Sequence, residues 1–149
     1  VVKNPSNVEV LIGTQLADVF EFCGGFTSEV HKVLMGGPMM GIAQHSLQTS
    51  VVKHTNALLA FGKEEAKQYK ESACIRCGRC VEACPMNLLP LYINMNSLAG
   101  DIEELKKYNP NDCIECGSCS YVCPAKRHLV QSIRLAKNLL RQETSKGGK

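Results

Sequence analysis

The 149-residue sequence predicts an α+β fold: a small unit of strands around one helix over residues 1–62, followed by an all-helical half. Three observations carry this prediction. Short apolar runs with strand-like alternation, punctuated by turn formers, fill the first half. The segments around the cysteines of the second half have helical rather than strand periodicity. Those cysteines themselves fall into two copies of one pattern.

Residues 1–12 read as a hairpin, with Val1 and Val2, a turn at Asn4-Pro5-Ser6-Asn7, and then Val8, Val10 and Ile12 on alternate positions. Gly13 ends the strand, and Thr14 is placed to cap a short helix on which Leu16, Val19, Phe20 and Cys23 share a face before Gly24-Gly25 closes it. On that apolar face Cys23 reads as a buried hydrophobe rather than a further ligand. A second strand, Val30 to Met35, runs into Gly36-Gly37-Pro38-Met39-Met40-Gly41. That segment lacks the Lys-Ser/Thr pair of a phosphate loop and opens no clear helix, so it reads as a tight, backbone-packed turn. A polar loop from Gln44 to Ser50 follows, then strand signal at Ser50 to Lys53 and Leu58 to Phe61. Residues 63–73 are charged, free of Gly and Pro, and expected to form a helical linker.

The second half, residues 74–141, is organised by Cys74, Cys77, Cys80 and Cys84-Pro85, a C-x-x-C-x-x-C-x-x-x-C-P run. The run returns 39 residues later as Cys113, Cys116, Cys119 and Cys123-Pro124, which accounts for eight of the nine cysteines. Three thiolates spaced by three on a tight loop can cap three irons of one cubane, while the fourth points elsewhere. In two-cluster proteins with this run the fourth cysteine ligates the other cluster. The expected ligands are therefore Cys74, Cys77, Cys80 and Cys123 for [4Fe–4S] cluster I, and Cys113, Cys116, Cys119 and Cys84 for cluster II. Pro85 and Pro124 suit the first turn of a following helix, and Gly78 and Gly117 allow amides to approach the sulfides. Structural zinc also takes four thiolates, yet it needs neither the third cysteine of each run nor the proline-marked fourth. Disulfides fit this spacing least well.

Leu88 to Leu98 carries Leu88, Leu91, Tyr92, Met95 and Leu98 at helical spacing, and Gly100 ends it. Asp101-x-x-Glu104 resembles a capping box for a short helix through Leu105 to Tyr108, and Pro110 delivers the chain to the second run. A last helix spans Leu129 to Leu140, with Leu129, Ile133, Ala136 and Leu140 inward and Arg127, Arg134 and Arg141 on one outer stripe. Residues 142–149 read as a flexible basic tail. Runs joined by helices argue against a β-rich bacterial ferredoxin and for an all-helical two-cluster ferredoxin of the kind built into larger oxidoreductases.

Composition bounds the rest. With 44% hydrophobic residues, 5% aromatics and no Trp, the core is aliphatic and modest, and the clusters are expected to nucleate the second half. No run approaches the ~18 apolar residues of a membrane span. The chain opens Val1-Val2-Lys3 without an initiator Met and reads as a piece of a longer polypeptide. Its net charge of +3 is uneven: from Lys126 onward seven basic residues face Glu143 alone, a net of +6 that leaves −3 for the first 125 residues. Such a basic end is either a solvated helix face or a docking surface for an acidic protein or anionic lipid, with no nucleic-acid partner expected. Aligned position by position, Arg76 matches Glu115 and Arg79 matches Ser118. This charge difference predicts that cluster I is the more readily reduced.

Taken together, the runs ESACIRCGRCVEACPMNLLP and NDCIECGSCSYVCPAKRHLVQSIRLAK with the upstream MGGPMMG resemble the C subunits of Rnf electron-transport complexes, membrane-associated ferredoxin:NAD oxidoreductases. The resemblance covers nearly the whole chain. It implies a soluble-ligand-binding β-grasp (SLBB) module at 1–62 and an α-helical dicluster ferredoxin at 74–141. It further implies an electron-relay role beside other subunits of an ion-translocating complex, peripheral on the cytoplasmic side of the membrane. In that family a domain binding FMN and NADH precedes the segment seen here, and no G-x-G-x-x-G after a strand matches it in this chain, so NADH oxidation is not assigned to these residues. The alternative is a corrinoid-reductase-like protein whose SLBB module holds a corrinoid or other small ligand, although His31, His45 and His54 are isolated in the sequence.

Overall fold

The computed structural model describes residues 1–147, with side chains described to residue 145. It separates into two compact units, Val1–Gln68 and a second beginning at Tyr69. The α+β class holds, with all the strands in the first unit and a purely helical second one.

In the first unit α1 (Leu16–Phe22) packs with a three-stranded antiparallel sheet of β1 (Lys32–Met35), β2 (Ile42–Gln44) and β3 (Leu58–Phe61) in the order β2-β1-β3. Leu16, Val19 and Phe20 of the helix bury against Val33, Val51 and Ala60. The helix has no side-chain cap: Gln15, not Thr14, is its N-cap, and its first amides are satisfied by the chain instead. Leu16 N–H donates to Thr49 O at 2.9 Å and Ala17 N–H to Leu47 O at 3.0 Å. Gly24 and Gly25 close it with φ of +84° and +75°, as expected.

Residues 1–12 do not form the expected hairpin. Val2 bridges Phe26, and Lys3 and Asn4 donate their amides to Gly25 and Cys23, so the terminus pairs across α1 rather than with Val8 to Ile12. Likewise Ser50 and Val51 pair with residues 13–15 rather than forming a strand of the sheet. β2 was hidden in the sequence because it is three residues long and mostly exposed, leaving no alternation to read. It exists because Gly36 to Gly41 folds the chain back on β1. Gly36 has φ +108°, and a Cβ on Gly41 would lie 2.5 Å from Gly37 O, so this is the tight backbone-packed turn expected. Gly41→Ala is predicted to cost about 1–3 kcal/mol as an overpacked site. The check is a lowered first-unit melting point with clusters still bound.

The expected helical linker over 63–73 is a single turn at residues 63–66 followed by chain without regular structure. An isolated charged segment this short is marginal as a helix, and competing bonds hold it out: Ser72 N–H reaches Ala125 O at 3.0 Å and Glu71 accepts from His128 N–H at 2.6 Å.

The second unit contains α2 (Arg79–Glu82), α3 (Pro90–Ala99), α4 (Ile102–Lys107), a 3₁₀ turn at Pro110–Asp112, α5 (Ser118–Tyr121) and α6 (Leu129–Gly147). It is a repeat: cysteine loop, one-turn helix, Cys-Pro turn and longer helix occur twice, 39 residues apart. Asp101 caps α4 by accepting from Glu104 N–H at 3.0 Å, and Gly100 ends α3 at φ +70°. Pro85 and Pro124 sit in turns, not in the helices' first turns, since α3 and α6 begin only at Pro90 and Leu129. The basic tail is helix through Gly147, and the remainder of that expectation, residues 148–149, lies outside the described residues.

Leu129, Ile133 and Ala136 of α6 point inward as expected, but α3 buries a different face. Ile93, Asn94 and Ser97 face the core, while Tyr92, Met95 and Leu98 are exposed. Hydrogen bonding decides this. Asn94 Nδ2 donates to Ser132 Oγ at 2.6 Å between α3 and α6, and Ser97 Oγ donates to Asn94 O at 3.0 Å. Two small polar side chains thus let the helices close while leaving their own groups satisfied.

Candidate metal centre

The repeat frames two cavities. One is lined by Cys74, Cys77, Cys80 and Cys123, the other by Cys84, Cys113, Cys116 and Cys119. Each therefore gathers three cysteines of one run and the fourth of the other. Cys23, by contrast, is buried in the first unit with its Sγ 3.8 Å from Ser6 Oγ.

The loops reach this arrangement through matched backbone strain. Arg76 and Glu115 stand at φ +53° and +56°, Gly78 and Gly117 at +79° and +85°, and Asn87 and Lys126 both at +53°. Left-handed non-glycine residues are uncommon and cluster at functional sites. Here the curl turns amides toward sulfur: Arg76 N–H to Cys74 Sγ at 3.4 Å, Glu115 N–H to Cys113 Sγ at 3.3 Å, Leu88 N–H to Cys84 Sγ at 3.4 Å and Arg127 N–H to Cys123 Sγ at 3.5 Å. Such donors favour sulfur carrying negative charge.

Burial pushes the thiols of Cys80 and Cys113 up, and that of Cys119 to about 11, while the Ser118 hydroxyl holds Cys116 down. A metal held by these thiols would therefore displace their protons. Among the described residues no three Cys, His, Asp or Glu side chains converge as a single ion requires. A [4Fe–4S] cluster takes four thiolates, one for each iron, and each cavity is lined by four cysteines. The donor set also fits in a second respect: Arg127, lining the first cavity, has a buried Nε with no hydrogen-bond partner in the protein.

The electrostatics differ from what the cysteine runs suggested. Glu115 is not a lone anion beside the second site, because Arg134 Nε donates to its Oε2 at 2.7 Å and Lys137 Nζ to its Oε1 at 2.8 Å. Burial alone would raise its carboxyl, but these two cations outweigh that and hold it below the usual carboxylate range. Lys137 Nζ also bonds Cys113 O at 2.7 Å, so α6 pins the second cysteine loop. Compensated in this way, Glu115 gives no ground for expecting cluster II to resist reduction. The outer basic stripe is lost for the same reason: Arg134 and Lys137 are engaged here, and Arg127 pairs with Glu71 and Asn94, leaving Arg141 exposed. Arg127, Asn94 and Glu71 as neighbours of the first site were missed because they lie outside the runs and meet only in the fold.

The comparisons agree with this anatomy. An SLBB domain matches residues 2–43 and a 4Fe-4S dicluster domain residues 73–126. The chain is 46% identical over 97% of its length to the C subunit of the ion-translocating oxidoreductase complex of Rhodobacter capsulatus, covering 28% of that protein. It is 47% identical over 98% of its length to the C subunit of the Na(+)-translocating ferredoxin:NAD(+) oxidoreductase complex of Acetobacterium woodii, covering 33% of it. Over 63% of its length it is 47% identical to the C subunit of the proton-translocating ferredoxin:NAD(+) oxidoreductase complex of Clostridium ljungdahlii, covering 21%. The chain thus spans about a third or less of the length of these relatives. With two modules in this order and similarity along almost its whole length, the chain belongs to the family of Rnf-type complex C subunits.

Proposed function

We infer that these residues relay single electrons through two [4Fe–4S] clusters as part of an Rnf-type ion-translocating oxidoreductase. The ligands are Cys74, Cys77, Cys80 and Cys123 for cluster I, and Cys113, Cys116, Cys119 and Cys84 for cluster II. The observation that carries this reading is the crossed lining of the two cavities. The clusters, when bound, supply the one-electron carriers. The chain's own residues hold the thiolates on strained loops, direct amide donors at them and bury Cys119 and Cys123 away from water. Cys74 and Cys77 stay exposed, which makes cluster I the accessible end of the relay.

FMN and NADH are assigned to other parts of the complex. Supporting this, the glycine-rich segment 36–41 joins two antiparallel strands and does not open a helix, so it offers no helix N-terminus to a pyrophosphate. Partners are the other subunits of the complex. No helix among the described residues is long and apolar enough to cross a membrane, and we assign the chain a peripheral position on the cytoplasmic face. Any contact with anionic lipid through the basic end falls to cations such as the exposed Arg141, since Arg134 and Lys137 are committed internally. The corrinoid alternative has no comparable support, as the relatives above are C subunits of ion-translocating complexes.

Anaerobic reconstitution tests the relay. About eight irons per chain and two one-electron reductions are expected from two cubanes. About four irons, or iron that cannot be reduced, would overturn it.

A further inference from the structure

The repeat relates the walls of the two cavities residue by residue, with an offset of 39. Leu91 matches Val130, Pro124 matches Pro85, Ala125 matches Met86 and Leu129 matches Pro90, apolar for apolar. Besides Arg76 and Glu115 on the cysteine loops, two wall positions break the symmetry: the first cavity has Arg127 and Asn94 where the second has Leu88 and Ile133. These two polar residues are bonded to each other, Arg127 Nη2 donating to Asn94 Oδ1 at 3.0 Å. Asn94 is fixed in turn by its bond to Ser132, and Arg127 Nη1 lies 3.5 Å from Glu71 Oε2. Two of the three guanidinium nitrogens thus have partners and hold the plane of the group. The third, Nε, is buried and has no hydrogen-bond partner among the described residues.

A buried, charged N–H without an acceptor is costly, and a fold retains one when a ligand completes it. The backbone donors do not distinguish the sites, since Arg127 N–H and Leu88 N–H both reach the sulfur of the crossing cysteine four residues earlier. Away from the cysteine loops, what distinguishes them is the Arg127 guanidinium. We propose that Arg127 is a cofactor-tuning residue whose Nε–H donates to a sulfur of cluster I and raises that cluster's reduction potential, cluster II having only Leu88 at the matching place. The chemical reason is that a four-thiolate cubane is anionic and gains one more negative charge on reduction. A fixed cationic donor favours the reduced form more than the oxidised one, and hydrogen bonds to the sulfurs are among the terms that set cluster potentials. The second site has a counterpart in the Ser118 hydroxyl, 3.4 Å from Cys116 Sγ, but that group is neutral.

The inference rests on the two-cluster reading, and the experiment separates the two. Iron content and the electron paramagnetic resonance of the reduced protein are measured first; two clusters must be present before any potential is compared, and loss of a signal in Cys74→Ala identifies cluster I. Anaerobic redox titrations then follow Arg127→Leu, Arg127→Gln and Arg127→Lys. In the Leu and Gln variants the reduction equilibrium of cluster I is expected to fall about tenfold, or ~59 mV for one electron, with cluster II unmoved. Lys, which keeps the charge but not the planar N–H, recovers part of the shift. An unmoved cluster I, or both clusters shifting together as a merely structural defect would make them, overturns the proposal. Should the Leu and Gln variants lose cluster I, pulsed resonance on Arg76→Gln protein labelled with arginine carrying ¹⁵N at Nε alone decides: nitrogen coupling to reduced cluster I supports the bond, and its absence overturns it.

Discussion

Replacing Cys84 by alanine is expected to abolish cluster II and spare cluster I, although Cys84 belongs to the first cysteine run. The expectation follows from the cavity linings, in which Cys84 stands with Cys113, Cys116 and Cys119 while its sequence neighbours Cys74, Cys77 and Cys80 line the other cavity. Leu88 N–H is directed at Cys84 Sγ, and Leu88 also lines the second cavity, so the donor goes with the crossed site. Alanine leaves three thiolates and an uncapped iron, and the one cysteine outside the two runs, Cys23, is itself buried. Iron should drop from about eight to about four per chain, the content of one remaining cubane. Cys123→Ala should do the reverse, emptying the first site. If each variant lost the cluster of its own run instead, the crossed assignment and the wall comparison built on it would both be wrong.

Why the grouping of the cysteines around two cavities could be read from the sequence, and the rest of the site could not, is a matter of where the constraints lie. Thiolate spacing is local: a cubane fixes the separation of three cysteines on one loop, and the repeat of the run exposes the second site. The cap at Asp101 and the turn at Gly36 to Gly41 are local too, since one side chain or one left-handed residue decides them. The buried face of α3 is not. Asn94 and Ser97 look like surface residues among the apolar positions around them, and they go inward because Ser132 and Arg127, 38 and 33 residues from Asn94, complete its hydrogen bonds. The same holds for Glu115, whose charge cannot be read without Arg134 and Lys137. In the first unit the terminal segment resembles a hairpin because Val8 and Val10 alternate, but its amides find Gly25 and Cys23 across the helix. Each miss is a tertiary partner overriding a local pattern.

Removing the clusters is expected to unfold the second unit while the first stays folded. The units have separate cores, one built on Leu16, Phe20 and Val33, the other on Ile93, Leu105 and Ile133. The second core, however, includes Cys119 and Cys123, with Cys80, Cys84 and Cys113 packed against it, so its interior is partly made of the residues proposed to ligate the clusters. The one-turn helices α2 and α5, four residues each, are far below the length at which a helix persists alone. Losing the metal also re-protonates buried thiols and leaves strained residues such as Arg76 and Glu115 without the bonds that justify them. Metal binding to a structural site of this kind contributes on the order of 10 kcal/mol, comparable to the whole stability of a small domain. The aromatic residues give a clean readout, because the four tyrosines, Tyr69, Tyr92, Tyr108 and Tyr121, all lie in the second unit and the four phenylalanines, Phe20, Phe22, Phe26 and Phe61, all in the first. On anaerobic chelation the tyrosine near-ultraviolet dichroism and most of the helical signal should disappear, while the phenylalanine bands persist until a separate, higher melting transition. A tyrosine signal that survives complete loss of iron would mean that α3, α4 and α6 hold the second unit by apolar packing alone.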